Sequence, residues 1–348
     1  MTIATEEVQG QVTAPDTTFL RLSLRSILKT LPPQVFHRSP LRAWLGVLVS
    51  VTAVALGYGG LLVSPWFLLP PLWVFTGTAL TGFFVLGHDC GHRSFASQRW
   101  VNDVVGHLLF LPLLYPFYPW RFQHDHHHQY TNLLEEDNAW APFTTEIYKS
   151  QNFVLRFFYR LLRGRFWWLG SIAHWAAVHF DARKFPPSQR QQVRFSNHLV
   201  LLYALIFFPA LLVSGGVWAV IKFFLLPWLV YHFWMSTFTL VHHTMPDIPF
   251  KTRSQWSAAE AQLMGSVHCD YPWWVEFLCH DINWHIPHHV APAIPFYRLR
   301  MAQASLEENW GEYLYKTRFS WELLKTIGDR CHLHDERDCY RSFQEAGV

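Results

Sequence analysis

The chain has 348 residues, of which 51% are hydrophobic and only 15% are charged, with a formal net charge of +3. This apolar composition excludes a disordered protein, and five cysteines are too few, and odd in number, for a disulfide scaffold. The small positive charge argues against a nucleic-acid-binding protein. Two features remain to be explained, the low charge and the 21 histidines.

The first segment in chain order is residues 1–30, which begins with a polar and acidic stretch. We expect a variable, disordered N-terminus here and no secretory signal. Residues 31–348 are expected to form a single membrane domain, because the long apolar runs begin soon after this segment.

Four apolar runs are long enough to cross a membrane, at about 43–64, 66–87, 197–213 and 217–240. Very short links join the first pair and the last pair, so we expect two helical hairpins. Lys and Arg avoid both hairpin tips and are concentrated outside the runs, which places residues 88–196 and 241–348 in the cytoplasm. The predicted fold is an all-α integral membrane protein with four transmembrane helices and a cytoplasmic helical cap. A soluble helical protein with buried hairpins is the alternative.

Two further apolar stretches are not expected to cross the membrane. Val104–Trp120 contains three prolines, which interrupt helices. In Phe153–Leu169, Arg156, Arg160 and Arg163 are spaced to share one helical face while aromatic residues fill much of the rest. This pattern predicts a helix that lies in the lipid headgroup region.

The histidines are concentrated in three groups at the ends of apolar segments: His88 and His92; His124, His127 and His128; and His285, His288 and His289. Residues three or four apart share one face of a helix, so each group can direct its imidazoles toward one point. The His242–His243 pair, at the end of the last apolar run, could add a ninth ligand. One metal ion rarely takes more than six protein ligands, so the pattern predicts a site for two metal ions. Imidazole suits zinc, copper, iron and nickel.

A ligating histidine usually donates its second N–H to an acidic or amide group, which fixes the tautomer. The candidates for this role near the three groups are Asp89, Asp125, Asp137, Asn138, Asp270, Asp281 and Asn283. No catalytic side chain beyond the metal ligands is predicted. Thiolate ligation by Cys90, Cys269 or Cys279 is a less favoured alternative to packing as buried apolar side chains.

Several protein classes use histidine–metal sites. A zinc metalloprotease needs Glu after the first His of HExxH, but Asp89 stands at that position here. A metal transporter would place its ligands near the bilayer midplane, whereas these groups flank the apolar runs. A histidine-rich membrane metal transporter nevertheless stays open as a reading from a different functional class.

The three groups have the forms HxxxH, HxxHH and HxxHH around two apolar hairpins, and this arrangement resembles the membrane fatty acid desaturase family. Several stretches, including 87–95, 121–140, 228–238, 267–272 and 285–289, are most similar to the cyanobacterial acyl-lipid Δ12 (omega-6) group. The resemblance runs from about residue 30 into the C-terminal region. It implies nine iron ligands: His88, His92, His124, His127, His128, His243, His285, His288 and His289.

The same resemblance implies a di-iron enzyme that uses O2 to convert oleoyl chains of membrane glycerolipids to linoleoyl chains. Its partners would be the bilayer, the lipid acyl substrate and an external electron donor, with ferredoxin expected. The histidines would lie on the cytoplasmic face of a plasma or thylakoid membrane. A related hydroxylase or ketolase, or a desaturase of different regioselectivity, is the alternative. The tryptophans selected as candidates for acyl contact are Trp167, Trp168, Trp273, Trp274 and Trp284.

Overall fold

The computed structural model describes residues 23–337 and 339–348. Most of the N-terminal segment that we predicted to be disordered therefore lies outside the described residues. Within residues 23–30, the chain forms a short helix, Leu24–Leu28, which is capped by the Ser23 side chain and buries Ile27. The predicted disorder consequently does not extend to residue 30.

The described residues are mainly helical. The helices are α1 (Leu24–Leu28), α2 (Pro40–Val63), α3 (Leu69–Gly91), α4 (Arg99–Phe110), α5 (Phe117–Gln129), α6 (Thr145–Ser150), α7 (Phe153–Arg163), α8 (Gly170–Val178), α9 (Arg190–Val220), α10 (Leu226–His243), α11 (Ala258–Met264), α12 (Trp273–Leu278), α13 (His285–Val290), α14 (Leu299–Trp310) and α15 (Trp321–Arg330). Short 3-10 turns join several of them, and a π-helical turn, Ile221–Leu225, connects α9 to α10.

Five short strands correct the expectation of an all-α protein: β1 (Phe143–Thr144), β2 (Val267–Asp270), β3 (Tyr315–Arg318), β4 (Leu333–Asp335) and β5 (Cys339–Arg341). β2 and β3 pair in parallel, with Val267 opposite Tyr315. β4 lies between β1, to which it is parallel, and β5, to which it is antiparallel. Each strand has at most four residues, too few for a readable alternation of apolar and polar side chains.

Three helical segments are long and apolar enough to cross a membrane: Pro40–Val63, Trp66–Gly91 and Arg190–His243. The third reverses direction, because Gly215 and Gly216 leave the helical conformation and Gly216 adopts a φ of 63°. Phe208 consequently packs against Phe224 with ring centroids 4.9 Å apart, whereas a straight helix would separate them by about 24 Å. The turn coincides with the predicted hairpin tip.

The apolar helices differ in how much of their surface the protein covers. Most of α3 is buried, and α3 meets α10 closely, since a Cβ on Gly77 would lie 2.5 Å from the carbonyl oxygen of Pro227. α2 and α9 instead expose large side chains such as Leu56 and Leu205. α3 and α10 are therefore the inner pair, and both carry histidines at their C-terminal ends.

The two stretches predicted not to cross the membrane have different structures. Between α4 and α5 the chain breaks around its prolines, where Leu114 adopts a left-handed φ of 53°. α7 exposes Phe153, Phe157 and Phe158. Arg163, the last arginine of the predicted face, is buried and donates to the carbonyl oxygens of Trp140 and Cys331.

Candidate metal centre

Four helices, α3, α5, α10 and α13, direct histidines toward one region of the protein. α3 continues past the predicted end of its apolar run, so His88 lies in its last turn and His92 forms its C-cap. α5 and α10 each carry consecutive histidines in their last turn. α13 begins at His285 and carries Pro287 in its first turn, where proline is tolerated.

Five of the nine predicted ligands form one group, which we call site A: His88, His92, His124, His128 and His288. One nitrogen from each ring lies within 4.8 Å of the others. The Nε2 atom of His288 is 3.1 Å from that of His88 and 2.9 Å from that of His128. Nε2 of His92 is buried without a hydrogen-bond partner among the described residues.

The other four histidines form a second group, site B: His127, His243, His285 and His289. Nε2 of His243 is 3.3 Å from Nε2 of His127 and 2.9 Å from Nε2 of His285. Nε2 of His285 is in turn 3.1 Å from Nε2 of His289. The structure therefore brings all nine predicted side chains together, in two adjacent groups.

The spacing of these nitrogens fits two metal ions. At a metal–nitrogen distance of about 2.1 Å, two neighbouring ligand nitrogens lie about 3.0 Å apart in an octahedral arrangement. Burial also lowers the pKa of His124, His128, His288 and His289 well below the usual value. Their imidazoles are thus neutral near pH 7, and the neutral form is the one that binds a metal ion.

The ring nitrogens that point away from the centre explain the orientation of two ligands. Nδ1 of His127 donates to Oδ1 of Asp137 at 2.7 Å, and backbone N–H groups of Asn132 and Ala139 hold both oxygens of that carboxylate. Nδ1 of His289 lies 3.1 Å from Oε1 of Gln262. Asp137 is therefore the one predicted partner that hydrogen-bonds directly to a ligand.

The remaining predicted partners have other contacts. Asp89 and Asp125 lie 3.7 and 4.0 Å from Nδ1 of His88 and His92. The others bind elsewhere: Asn138 to Gln123, Asp270 to His268, Asp281 to Arg300 and Asn283 to Glu276. Gln262 was missed from the sequence, because no spacing relates this residue on α11 to His289 on α13.

The structure also distinguishes the histidines that neighbour the ligands. Nε2 of His242 lies 3.4 Å from the Tyr271 hydroxyl, so His243 is the member of its pair that joins site B. Nε2 of His126 donates to the carbonyl oxygen of Glu136, away from both sites. Among the described residues, no cysteine joins either group.

A cavity of about 580 Å³ adjoins both sites, within the range of about 300–1,000 Å³ typical of ligand sites. His88 and His124 of site A and His127, His243 and His285 of site B line it. The rest of the wall is largely apolar and includes Phe84, Trp120, Trp140, Met235 and Phe238. α8 contributes the small residues Gly170, Ala173 and Ala177, which leave space for a ligand on that side.

The tryptophans predicted to contact an acyl chain do not line this cavity, whose tryptophans are Trp120 and Trp140. Trp167 is buried against Phe233, and Trp284 stacks on His268. Trp140 is held on the wall by a hydrogen bond from Nε1 to the Thr239 hydroxyl and by its contact with Gly170. Tertiary packing around each tryptophan determines which indole rings reach the cavity, and the sequence did not reveal this packing.

The chain is similar to known proteins over most of its length. Residues 64–321 match the fatty acid desaturase family model. Two relatives named sn-1 oleoyl-lipid 12-desaturase are 55% identical, from a Synechocystis strain, and 57% identical, from a Picosynechococcus strain. The alignment with the Synechocystis relative covers 94% of this chain and 94% of the relative. The alignment with the Picosynechococcus relative covers 93% of each.

A plant relative extends the comparison. The chloroplastic omega-6 fatty acid desaturase of Spinacia oleracea is 50% identical, over 93% of this chain and 72% of its own length. The extent of these matches settles the family, and the converging histidines beside an apolar cavity agree with it. This chain belongs to the fatty acid desaturase family.

Proposed function

We propose that this protein introduces a cis double bond at the Δ12 position of oleoyl chains in membrane glycerolipids, which gives linoleoyl chains. The observation that carries the proposal is that sites A and B both line one largely apolar cavity. Substrate class and bond position follow the names of the cyanobacterial relatives.

The reaction removes one hydrogen atom from each of two adjacent CH2 groups. Together with two electrons and two protons from outside, these hydrogens reduce one O2 to two water molecules, so atoms and electrons balance. Two iron ions held by sites A and B would supply the O2-dependent oxidation when bound. The nine imidazoles do not determine which two carbon atoms of the acyl chain react; the shape of the cavity determines it.

The residues of the cavity position the acyl chain and exclude water. Phe84, Met235 and Phe238 offer an apolar wall beside the histidines, and removing water from this space strengthens electrostatic interactions at the site. Trp140 is fixed by Thr239 and Gly170, so it can act as a rigid stop for the chain. The double-bond position would then be a distance measured along the cavity.

The membrane arrangement that we propose consists of two hairpins, α2 with α3 and α9 with α10, which gives four spans. The cap and both sites would lie on the cytoplasmic side of a plasma or thylakoid membrane. The exposed aromatic face of α7 supports this placement, since Phe153, Phe157 and Phe158 would enter the acyl boundary. α7 also contributes Leu162 and Arg163 to the cavity wall.

An external donor must supply the electrons, and we propose ferredoxin. Arg93, Arg99, Arg121 and Asp103 line one surface depression, in which Asp103 pairs with Arg93 at 2.7 Å, so the charge of the depression is positive overall. Asp125 is half-exposed there and lies 3.6 Å from Arg121 and 4.0 Å from His92. Positive charge beside a metal site favours encounter with an acidic protein.

The test is expression in a host that contains oleate but no linoleate, followed by mapping of the new double bond in each lipid class. Linoleoyl lipids are expected, together with two irons per purified chain. The His88→Ala variant should insert into membranes normally but form no double bond. A hydroxylated or ketone product, a bond at another position, or exchangeable zinc without an O2-dependent product would each overturn the proposal.

A further inference from the structure

The short helix α12 lies against the apolar helices rather than on top of the cap. The carbonyl oxygen of Leu278 sits 2.3 Å from where a Cβ on Gly82 of α3 would be. Nε2 of His280 is 2.6 Å from the hydroxyl of Ser50 on α2. Trp274 packs into a cluster that includes Ala53 of α2 and Ala79 of α3.

These contacts place α12 at a considerable depth along the apolar helices. Ala53 is 13 residues from the first residue of α2 and 10 from the last, which corresponds to about 20 and 15 Å along the helix axis. The hydrocarbon core of a bilayer is about 30 Å thick. If α2 crosses the membrane, Trp274 therefore lies near the middle of the hydrocarbon.

One face of α12 points away from the protein at this depth. Trp273 and Phe277 are four residues apart, on the same side of the helix, and their exposed fractions are 77% and 58%. The opposite side is buried through Val275 and Leu278. A pair of large exposed aromatic side chains beside the midpoints of two apolar helices matches hydrocarbon better than water.

The backbone of this segment suits an environment without water, where each N–H and C=O needs an internal partner. The backbone N–H of Val275 donates to the carbonyl oxygen of Pro272 at 2.8 Å, and that of Cys279 donates to Val275 at 2.8 Å. The N–H of Tyr271 donates to the Glu276 carboxylate at 2.9 Å.

The charged groups of the segment are also compensated. Besides its bond to Tyr271, Glu276 accepts a hydrogen bond from Asn283 at 3.1 Å and lies 3.8 Å from Arg300. Arg300 in turn pairs with Asp281 at 2.6 Å. Glu276 and Asp281 are thus both paired with Arg300, whose guanidinium also lies over the Trp284 ring at 5.4 Å.

We infer that residues 272–280 form a re-entrant segment whose Trp273 and Phe277 side chains contact the acyl chains of the bilayer. The inference rests on the membrane placement in the proposed function. His285 follows Cys279 by only six residues, so the segment fixes the depth at which α13 presents its histidines. It thereby ties the third histidine group to the bilayer as well as to the cap.

The test uses the full-length protein in phosphatidylcholine vesicles, with a nitroxide label at Trp273→Cys or Phe277→Cys. Leu56→Cys on α2 is the lipid control, because Leu56 is 65% exposed close to Ala53. Lys325→Cys on α15 is the water control, since Lys325 is exposed on the cap. Wild-type protein treated with the same reagent gives the background from the five native thiols.

The measured quantity is the ratio of label collisions with O2 to collisions with a charged nickel chelate. We expect the ratio at positions 273 and 277 to match that of Leu56→Cys and to exceed that of Lys325→Cys about tenfold, because a charged chelate enters hydrocarbon poorly. A ratio equal to that of Lys325→Cys would overturn the inference. So would low collision rates with both reagents, which would indicate a protein partner such as a second copy of the chain.

The two proposals can fail separately. If the Leu56→Cys label reports water, the proposed membrane crossing of α2 fails, and the re-entrant segment fails with it. If Leu56→Cys reports lipid while Trp273→Cys reports water, the re-entrant segment alone is wrong. Linoleate formation by the unlabelled Lys325→Cys protein tests the proposed activity independently of either outcome.

Discussion

Sites A and B contain the same kind of ligand but differ in how the rings are held. In site B, Asp137 binds Nδ1 of His127, and Gln262 binds Nδ1 of His289. Nδ1 of His285 has no hydrogen-bond partner in the part of the chain that the structure describes. Two of the four rings in site B are thus oriented before a metal ion binds.

Site A depends less on such partners. Its nearest carboxylates, Asp89 and Asp125, lie beyond hydrogen-bond distance from Nδ1 of His88 and His92. Nδ1 of His88 and His128 is buried without a partner among the described residues. The comparison indicates that site B is organised by the protein, whereas the rings of site A would take their final orientation from a bound metal ion.

The largest effect is expected from removing one ligand of the organised site. His127→Ala should reduce double-bond formation to background, because site B loses the ring that Asp137 orients, and the Asp137 carboxylate loses its partner. His126→Ala is the matched control one residue earlier, since that ring points to the Glu136 carbonyl. Linoleate content and iron per chain are the measurements. Full activity in His127→Ala would contradict the assignment of site B.

A smaller effect should follow from weakening the orientation of His127 without removing a ligand. Asp137→Asn keeps the size of the side chain but loses the charge that accepts the N–H, and such changes typically cost about 10–100-fold in metal affinity or activity. Asp125→Asn tests the equivalent carboxylate of site A. We expect it to lower metal affinity or activity less than about threefold, because Asp125 lies 4.0 Å from Nδ1 of His92, too far for a direct hydrogen bond. Equal losses in both variants would remove the distinction between the sites.

The two sites should differ in the rate at which they release metal to a chelator. With a chelator, one iron per chain is expected to leave about tenfold faster than the other, because site A has fewer ordered rings. Metal content sampled over time by mass spectrometry gives the two rates. In Asp137→Asn, the slower rate should approach the faster one. A single rate for both irons in the wild-type protein would count against an organised site B.

A further effect concerns the stability of the metal-free protein in acid. Burial holds the pKa of His124, His128, His288 and His289 well below the usual value. Below about pH 6.5 the unfolded chain gains protons on these rings that the folded chain does not, so stability falls as the pH decreases, by at most about 1.4 kcal/mol per pH unit for each ring. Thermal unfolding midpoints at pH 7.5 and 5.5 should show the fall. His128→Gln should flatten this pH dependence, because it removes one of these buried rings. An unchanged dependence in His128→Gln would exclude His128 as a source of the effect.

Helical spacing predicted eight of the nine histidines, because it determines which side chains share a face, and the family resemblance selected His243 from the His242–His243 pair. His88 and His92 needed only a helix that continued past its apolar run. Helical spacing does not predict which side chains from segments distant in sequence come into contact. Gln262 reaches His289 through the packing of α11 on α13, and Arg163 is buried because two carbonyl groups far apart in sequence accept its N–H groups.

The arrangement of consecutive histidines has a consequence for the spacing of the two metal ions. His127 and His128 are neighbours on α5, and His288 and His289 are neighbours on α13, yet each pair divides between the sites. Successive residues of a helix point about 100° apart, and no carboxylate among the described residues belongs to either group. Metal ions held at sites A and B would therefore be placed relative to each other by the backbones of α5 and α13, so the two ions should keep their distance even when one of them changes its charge.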